Sequence, residues 1–179
     1  ISDRMEAGSW ASAALATKGD IFVGGAKQQD LMTFLNVFRK VGGAFEVHDD
    51  GIRFYHPGGP LKPVQVETDV HPGFMTDWQQ PLIVALTQAE GVSVVHETVY
   101  ENRFGFTDAL VEMGADIVVH RDGLESVTRR VPRRKLEQAA VITGPTKLHG
   151  ADVRVPDLRG GFSYLIAALT AEGRSTVTN

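Results

Sequence analysis

The chain has 179 residues, 42% of them hydrophobic and 22% charged, with a formal net charge of −4, which suits one globular domain with a sizeable core. The slight acidity argues against a nucleic-acid footprint spread over the surface, and the lack of cysteine excludes disulfides, thiolate metal sites and a cysteine nucleophile on this chain. No apolar run approaches the ~18 residues of a membrane-spanning helix, and the opening I-S-D-R-M-E-A-G is charged, without the apolar centre of a signal peptide.

Residues 8–18 are an alanine-rich helical run, followed by Gly19 and the strand-like Asp20-Ile21-Phe22-Val23. Leu31, Phe34, Leu35 and Phe38 have the spacing of an amphipathic helix, which stops at Gly42-Gly43. Residues 44–48 and 52–56 read as two strands joined through Asp49-Asp50-Gly51. Pro57-Gly58-Gly59-Pro60 is a loop, and Val64-Gln65-Val66 a further strand. The same order then returns: a helix over 77–89, a stop at Gly91, a strand over 92–96, a helix over 107–113, a strand over 117–120, and a turn at Asp122-Gly123.

The landmarks of this repeat agree in detail. Gly43-Ala44 matches Gly114-Ala115, and Val47-His48 with Gly51 matches Val119-His120 with Gly123. A third copy begins at Gly161, where 167–173 echoes 13–19. The unit is helix–strand–helix–strand–strand, longer than a solenoid repeat, with repeats at about 8–67, 76–155 and 160–179. The third stops after one helix and one strand, so 1–179 reads as one incomplete domain and a piece of a longer protein. The helices over 77–89 and 161–171 have little polar face, and a helix apolar nearly all round is buried on most sides. The expectation is sheets outside, with the helices near 9–18, 29–41, 77–89, 107–113 and 161–171 packed inside, burying Leu82, Leu86, Leu165 and Leu169.

The stretch T-D-V-H-P-G-F-M-T-D-W-Q-Q over 68–80 delivers an aspartate to a helix mouth. Thr76 with Gln79 has the form of a capping box, and Asp77 falls in the first turn, where the helix dipole favours a carboxylate. Pro81 suggests a start nearer Gln79. Local pattern leaves Asp77 as either a cap or a general base or hydroxyl anchor facing a ligand. The strand end E-T-V-Y-E-N-R-F over 97–104 is a normal place for ligand contacts. The alternative there is an exposed loop with Arg103 paired to Glu97 or Glu101. Asp157 and Arg159, before Gly160-Gly161 at the third helix mouth, form either an anion grip or a cap with a surface ion pair. The basic run over 128–135 reads as a solvated loop or a phosphate-contact patch. The six histidines lack metal-ligand spacing, and His48 and His120, recurring after equivalent strands, suggest a scaffold role.

D-R-M-E-A-G at 3–8, H-P-G-F-M-T-D-W-Q-Q at 71–80, E-T-V-Y-E-N-R-F at 97–104 and D-L-R at 157–159 together resemble the UDP-N-acetylglucosamine 1-carboxyvinyltransferases, enolpyruvyl transferases that open peptidoglycan precursor synthesis. The segment 137–145, read as an insertion, and the D-L-R-G-G-F ending look like the actinobacterial branch. The resemblance implies an EPSP synthase-like α/β fold: an inside-out barrel of helix-strand-helix-strand-strand units with buried helices, here in the domain made largely of the C-terminal half. It implies transfer of enolpyruvyl from phosphoenolpyruvate to the 3-hydroxyl of UDP-N-acetylglucosamine. On that implication Asp77 is the carboxylate on the hydroxyl and the candidate base, and Val99 lines the sugar-nucleotide site. Arg103, Asp157 and Arg159 help position reactants and the closed state.

The resemblance further implies no cofactor or metal, the remaining domain of the same enzyme as partner, no nucleic-acid or membrane partner, and a cytoplasmic location. The family's lysine–asparagine pair, its mobile loop with a proton-donating Cys or Asp, and its R-G-Y-E arginine have no counterpart in 1–179, so the expectation is that this chain alone does not turn over. Two other readings remain. One is the sister enzyme type that makes 5-enolpyruvylshikimate 3-phosphate, against which the E-N-R-F loop argues. The other is a non-catalytic nucleotide-sugar-binding or structural module.

Overall fold

A computed structural model describes residues 2–120, 138–156 and 160–178. Helix α1 (Arg4–Ala16) begins earlier than expected because Asp3 caps it. The Asp3 carboxylate accepts from the N–H groups of Met5 at 2.8 Å and Glu6 at 3.4 Å, satisfying donors that a helix start leaves orphaned. Strand β1 (Asp20–Gly24), a short 3₁₀ turn (Gln28–Asp30), α2 (Met32–Val41), β2 (Ala44–His48) and β3 (Gly51–Tyr55) follow. Gly42 ends α2 in the left-handed region, at φ 113°, where a side chain is strained.

The second unit contains β4 (Gln65–Glu67), α3 (Thr76–Leu86), β5 (Gly91–Glu97), α4 (Thr107–Glu112), β6 (Asp116–His120) and β7 (Gln138–Gly144). The third contains β8 (Asp152–Arg154), α5 (Gly161–Thr170) and β9 (Thr176–Thr178). The first sheet has the order β1-β3-β2 and the second β4-β5-β7-β6, so β1, β3 and β2 correspond to β5, β7 and β6. Strands β4 and β8, which come from the connections between units, lie parallel to β5 and β9. Each therefore joins the sheet of the unit that follows it.

The register corrects one expectation. Tyr55 faces Asp20 and Ala44, and Thr143 faces Val92 and Asp116. Thr143 lies 88 positions after Tyr55, whereas Val92 and Asp116 lie 72 after Asp20 and Ala44. The extra residues sit between β6 and β7. The segment expected as an insertion is thus largely β7, a central strand bonded on both edges. The expected turn at Asp122-Gly123 and the basic run over 128–135 lie outside the described residues.

Helices α1 and α3 form the centre, with α5 packed on both. Every residue from 78 to 86 is buried, and Leu82, Ile83, Val84, Ala85 and Leu86 are wholly so. Burying a large aliphatic side chain contributes roughly 1.5–3 kcal/mol, enough for this helix to tolerate Pro81 in its interior at about 3 kcal/mol. The helix starts at Thr76, so the expected start nearer Gln79 is not observed. α1 crosses α3 closely because residue 8 is glycine: a Cβ there would come 2.7 Å from Trp78 Cδ1. Beneath that crossing, Phe34, Phe74 and Trp78 pack ring against ring, with centroids 5.5–6.2 Å apart.

The expectation that all five helices lie inside holds for α1 and α3 and is corrected for the rest. Helix α2 buries Phe34, Leu35, Phe38 and Val41 and exposes Met32, Asn36, Arg39 and Lys40. Helix α4 buries Thr107 and Leu110 only. On α5, Leu165 and Leu169 are 39% and 58% exposed, so only the Ser163, Tyr164, Ile166, Ala167 face is buried. His48 and His120 occupy equivalent strand ends but are exposed and give the core nothing.

Candidate functional site

The loop over 68–75 is fixed from three sides before it reaches α3. Thr68 bonds the end of β5 through its N–H to the His96 carbonyl, and its side chain accepts from the Thr98 N–H at 3.0 Å. The Asp69 N–H donates to the Phe74 carbonyl at 2.8 Å, closing the loop on itself. The Thr33 hydroxyl of α2 donates to the Pro72 carbonyl. Trp78 completes the anchorage from below, its Nε1 donating to the Arg4 carbonyl of α1 at 3.0 Å.

The helix that follows has no side-chain cap. Met75 holds the N-cap position without a capping bond, so the capping box expected of Thr76 and Gln79 does not form. Both side chains turn instead to the buried carboxylate of Glu97, at the last residue of β5. Thr76 Oγ1 donates to Glu97 Oε2 at 2.7 Å, and Gln79 Nε2 to the same oxygen at 3.2 Å. Oε1 accepts from the N–H groups of Val99 and Tyr100 at 2.8 and 3.0 Å. Glu97 is wholly buried.

Asp77, in the first turn of α3, meets Arg103, whose Nη2 lies 2.5 Å from Asp77 Oδ1. The side chains are 27% and 12% exposed, so the pair sits at the edge of solvent, open to a ligand. The Arg103 partner expected at Glu97 or Glu101 is therefore replaced by Asp77. Arg103 Nε is buried with no hydrogen-bond partner among the described residues, and the Arg103 carbonyl accepts from Gln80 Nε2 at 3.4 Å. Asn102 precedes it in the left-handed region at φ 56°, a conformation asparagine tolerates better than most residues. The Tyr100 ring centre lies 5.8 Å from the Arg103 guanidinium.

The structure thus brings Asp77 and Arg103 into contact and places half-buried Val99 on the same loop as Arg103. Asp157 and Arg159 lie outside the described residues. Sequence reasoning missed the part played by Glu97, whose signal was its phase: Ser93, Val95 and Glu97 alternate on the buried face of β5. A carboxylate on that face needs donors.

The resolved shifts in ionisation lie elsewhere, on exposed pairs: Arg53 holds the Asp20 carboxyl below its usual value, and Glu172 raises Lys147. A shallow crevice of about 680 Å³ lined by Lys27, Gln28, Gln29, Met32 and Asp49 contains none of the candidate residues. Among the described residues no cluster of three or more His, Asp or Glu could hold a metal ion, and no helix is long and apolar enough to cross a membrane.

The chain is 53% identical over 178 residues to a UDP-N-acetylglucosamine 1-carboxyvinyltransferase of Protochlamydia amoebophila, covering 99% of this chain and 38% of the relative. It is 49% identical to the enzyme of that name from Chlamydia trachomatis serovar D, covering 97% and 39%. It therefore spans about two fifths of the length of these relatives. They do not support the expected affinity with the actinobacterial branch. Among solved structures, the enolpyruvyl transferase NikO from Streptomyces tendae superposes with a TM-score of 0.80 at 26% identity, covering 100% of this chain and 39% of that one. An EPSP synthase from Acinetobacter baumannii, at 20% identity and a TM-score of 0.64, shares the fold, with 99% and 38% covered. The fold is the mixed α/β fold of the enolpyruvyl transferases. Over residues 1–179 the chain matches, and belongs to, the EPSP synthase (3-phosphoshikimate 1-carboxyvinyltransferase) family.

Proposed function

We propose that this chain is part of an enzyme that transfers enolpyruvyl from phosphoenolpyruvate to the 3-hydroxyl of UDP-N-acetylglucosamine, the first committed step of peptidoglycan synthesis, in the cytoplasm. The observation that carries this reading is the Asp77–Arg103 pair at the mouth of an inner helix, with Val99 on the same loop as Arg103. The names and identities of the relatives support the sugar nucleotide as acceptor. In the transfer a bond forms between the sugar oxygen and the enol carbon, the bond from that carbon to the phosphate oxygen breaks, and the hydroxyl proton leaves. Asp77 orients the hydroxyl and accepts its proton. A first-turn carboxylate is stabilised by the helix dipole, which weakens it as a base, so its proximity to the hydroxyl carries much of the effect.

Val99 lines the sugar-nucleotide site, while Arg103, Asp157 and Arg159 position the reactants and the closed state. The partner is the remaining domain of the same polypeptide, and closure between the domains excludes water from the site. Residues 1–179 supply one incomplete domain's repeats, at about 8–67, 76–155 and 160–179 in sequence, with β4 and β8 at the ends of the first two joining the sheet of the next unit. No cofactor or metal is required.

The description of the matching family favours a second reading, in which shikimate 3-phosphate is the acceptor. Phosphate release from phosphoenolpyruvate by the full-length protein separates the two. Turnover with UDP-N-acetylglucosamine and none with shikimate 3-phosphate is expected; the opposite preference would overturn the proposal, and release with neither acceptor would leave a binding or structural module.

A further inference from the structure

Resting on that reading, we propose that Glu97 is a positioning residue that sets Asp77 and Arg103 in register without touching substrate. Its carboxylate is wholly buried, and its partners are neutral: one hydroxyl, one side-chain amide and two backbone N–H groups. An ionised carboxylate offers only acceptors, and here each oxygen receives two donors.

The two oxygens face different pieces of the site. Oε2 holds the first turn of α3 through Thr76, the residue before Asp77, and through Gln79, one turn on. Oε1 holds the start of the loop that carries Val99 and, a few residues later, Arg103. Arg103 then returns to Asp77. The ring closes through one buried carboxylate and one ion pair. Among the described residues, the bonds that join the helix mouth and its approach to the loop, apart from those of Glu97, are the Asp77–Arg103 pair, the long Gln80–Arg103 contact and, further from the reacting groups, the Thr68–Thr98 bonds. A charged hydrogen bond is roughly twice as strong as a neutral one, and a misplacement of about 1 Å in a reacting group costs about 10²-fold in rate. A clamp this close to Asp77 therefore acts on kcat.

The test uses Glu97→Gln in the full-length protein. This change preserves volume and keeps one oxygen for the Val99 and Tyr100 N–H groups. The new amide can donate to Thr76 Oγ1 and to Gln79 Oε1, which is buried without a partner among the described residues, once the Gln79 amide turns over. The variant should therefore fold, with a thermal midpoint within about 3 °C of wild type. Its kcat should fall about tenfold, with KM for phosphoenolpyruvate nearly unchanged.

The decisive readout is the pairing with Asp77→Asn. If Glu97 acts through Asp77, adding Glu97→Gln to Asp77→Asn lowers kcat by less than about twofold further. A kcat for Glu97→Gln within about twofold of wild type overturns the proposal, as does full multiplication of the two effects. Wild-type turnover with another acceptor would refute the substrate reading, while the same cycle run with that acceptor still decides the clamp. Amide hydrogen exchange covers a protein inactive on both acceptors: Glu97→Gln must speed exchange in 75–79 and 98–104 together, and acceleration of one segment alone refutes the clamp.

Discussion

The first and second repeats build the same inner helix and the same strand order, yet they open their helices differently. At α1 a carboxylate sits at the N-cap and satisfies the Met5 and Glu6 N–H groups. At α3 the N-cap is Met75, which makes no such bond. The polar side chains that could cap this second mouth turn away from it, Thr76 and Gln79 to Glu97 and Asp77 to Arg103. One mouth is organised for the helix, the other for the loop beside it. On the reading proposed above the second mouth is the functional one, and the departure from local helix rules there accords with the general tendency of such conflicts to fall at sites.

The comparison breaks most sharply at Asp77. Asp77→Asn keeps shape and capping ability while removing charge. In the full-length enzyme it should lower kcat by about 10²–10⁴, the range of a lost general base, with a smaller effect on sugar-nucleotide binding. Its thermal midpoint should hardly move. Turnover within about threefold of wild type, with a lowered midpoint, would leave Asp77 a structural partner of Arg103 at the first turn of α3 and remove it from the chemistry. Arg103→Lys is the next largest. Lysine keeps the charge but loses the planar fork and the Nε–H, so KM for the sugar nucleotide should rise about tenfold while kcat falls less. An unchanged KM would show that Arg103 only braces Asp77.

Much of this architecture was legible in sequence, and the exceptions have physical causes. The repeat was visible because each copy keeps glycine after its second helix, at Gly42-Gly43 and Gly114, where Gly42 and Gly114 adopt positive φ. The buried α3 was visible because its apolar residues surround the axis. The exposure of Leu165 and Leu169 was not, because apolar composition states what could be buried and not what lies opposite. Strand β7 was hidden because the residues between β6 and β7 outnumber those between β2 and β3, so the match of Gly51 to Gly123 broke before the strand began. Asp77, Val99 and Arg103 lay in motifs that could be read, but the contact between Asp77 and Arg103 could not. Position 103 lies 26 positions after Asp77, and periodicity does not extend across a strand and a loop. The Thr76–Gln79 spacing pointed to a capping box because local pattern cannot see Glu97 arriving from β5.

Two stability changes sharpen the contrast between the mouths. Gly8→Ala places a Cβ 2.7 Å from Trp78 Cδ1, and Trp78 cannot easily yield, being packed on Phe34 and Phe74 and bonded to Arg4. Overpacking of about 1–3 kcal/mol is offset in part by the better helix propensity of alanine, roughly 1 kcal/mol. A net loss in urea unfolding is expected; a gain would show that the α1–α3 crossing is loose. Asp3→Ala removes only the α1 cap, at about 1 kcal/mol. It should lower the thermal midpoint while kcat per folded molecule stays within about twofold of wild type, the reverse of Asp77→Asn.

The smallest effect comes from the outer faces of the two sheets. On the first, Arg53 bonds Asp20 and Glu46; the corresponding positions on the second are Val141, Val92 and Val118. Among the described residues, these positions therefore carry an ion pair whose loss pH can drive on the first face and not on the second. Asp20 has its carboxyl lowered below 3.8, chiefly by its hydrogen bond to Arg53. A depressed carboxyl binds its proton less readily folded than unfolded, so its stabilising contribution is present above the unfolded value and fades as pH falls through the folded one. Both partners are exposed, which keeps the contribution small and sensitive to salt. Thermal midpoints of wild type and Asp20→Asn should differ by no more than about 2 °C near neutral pH. They should converge as pH falls below the usual carboxylate range of about 4, and converge also at about 1 M salt near neutral pH. A difference that persists unchanged at low pH would mean that Asp20 supports β1 through its shape and not through its charge on Arg53.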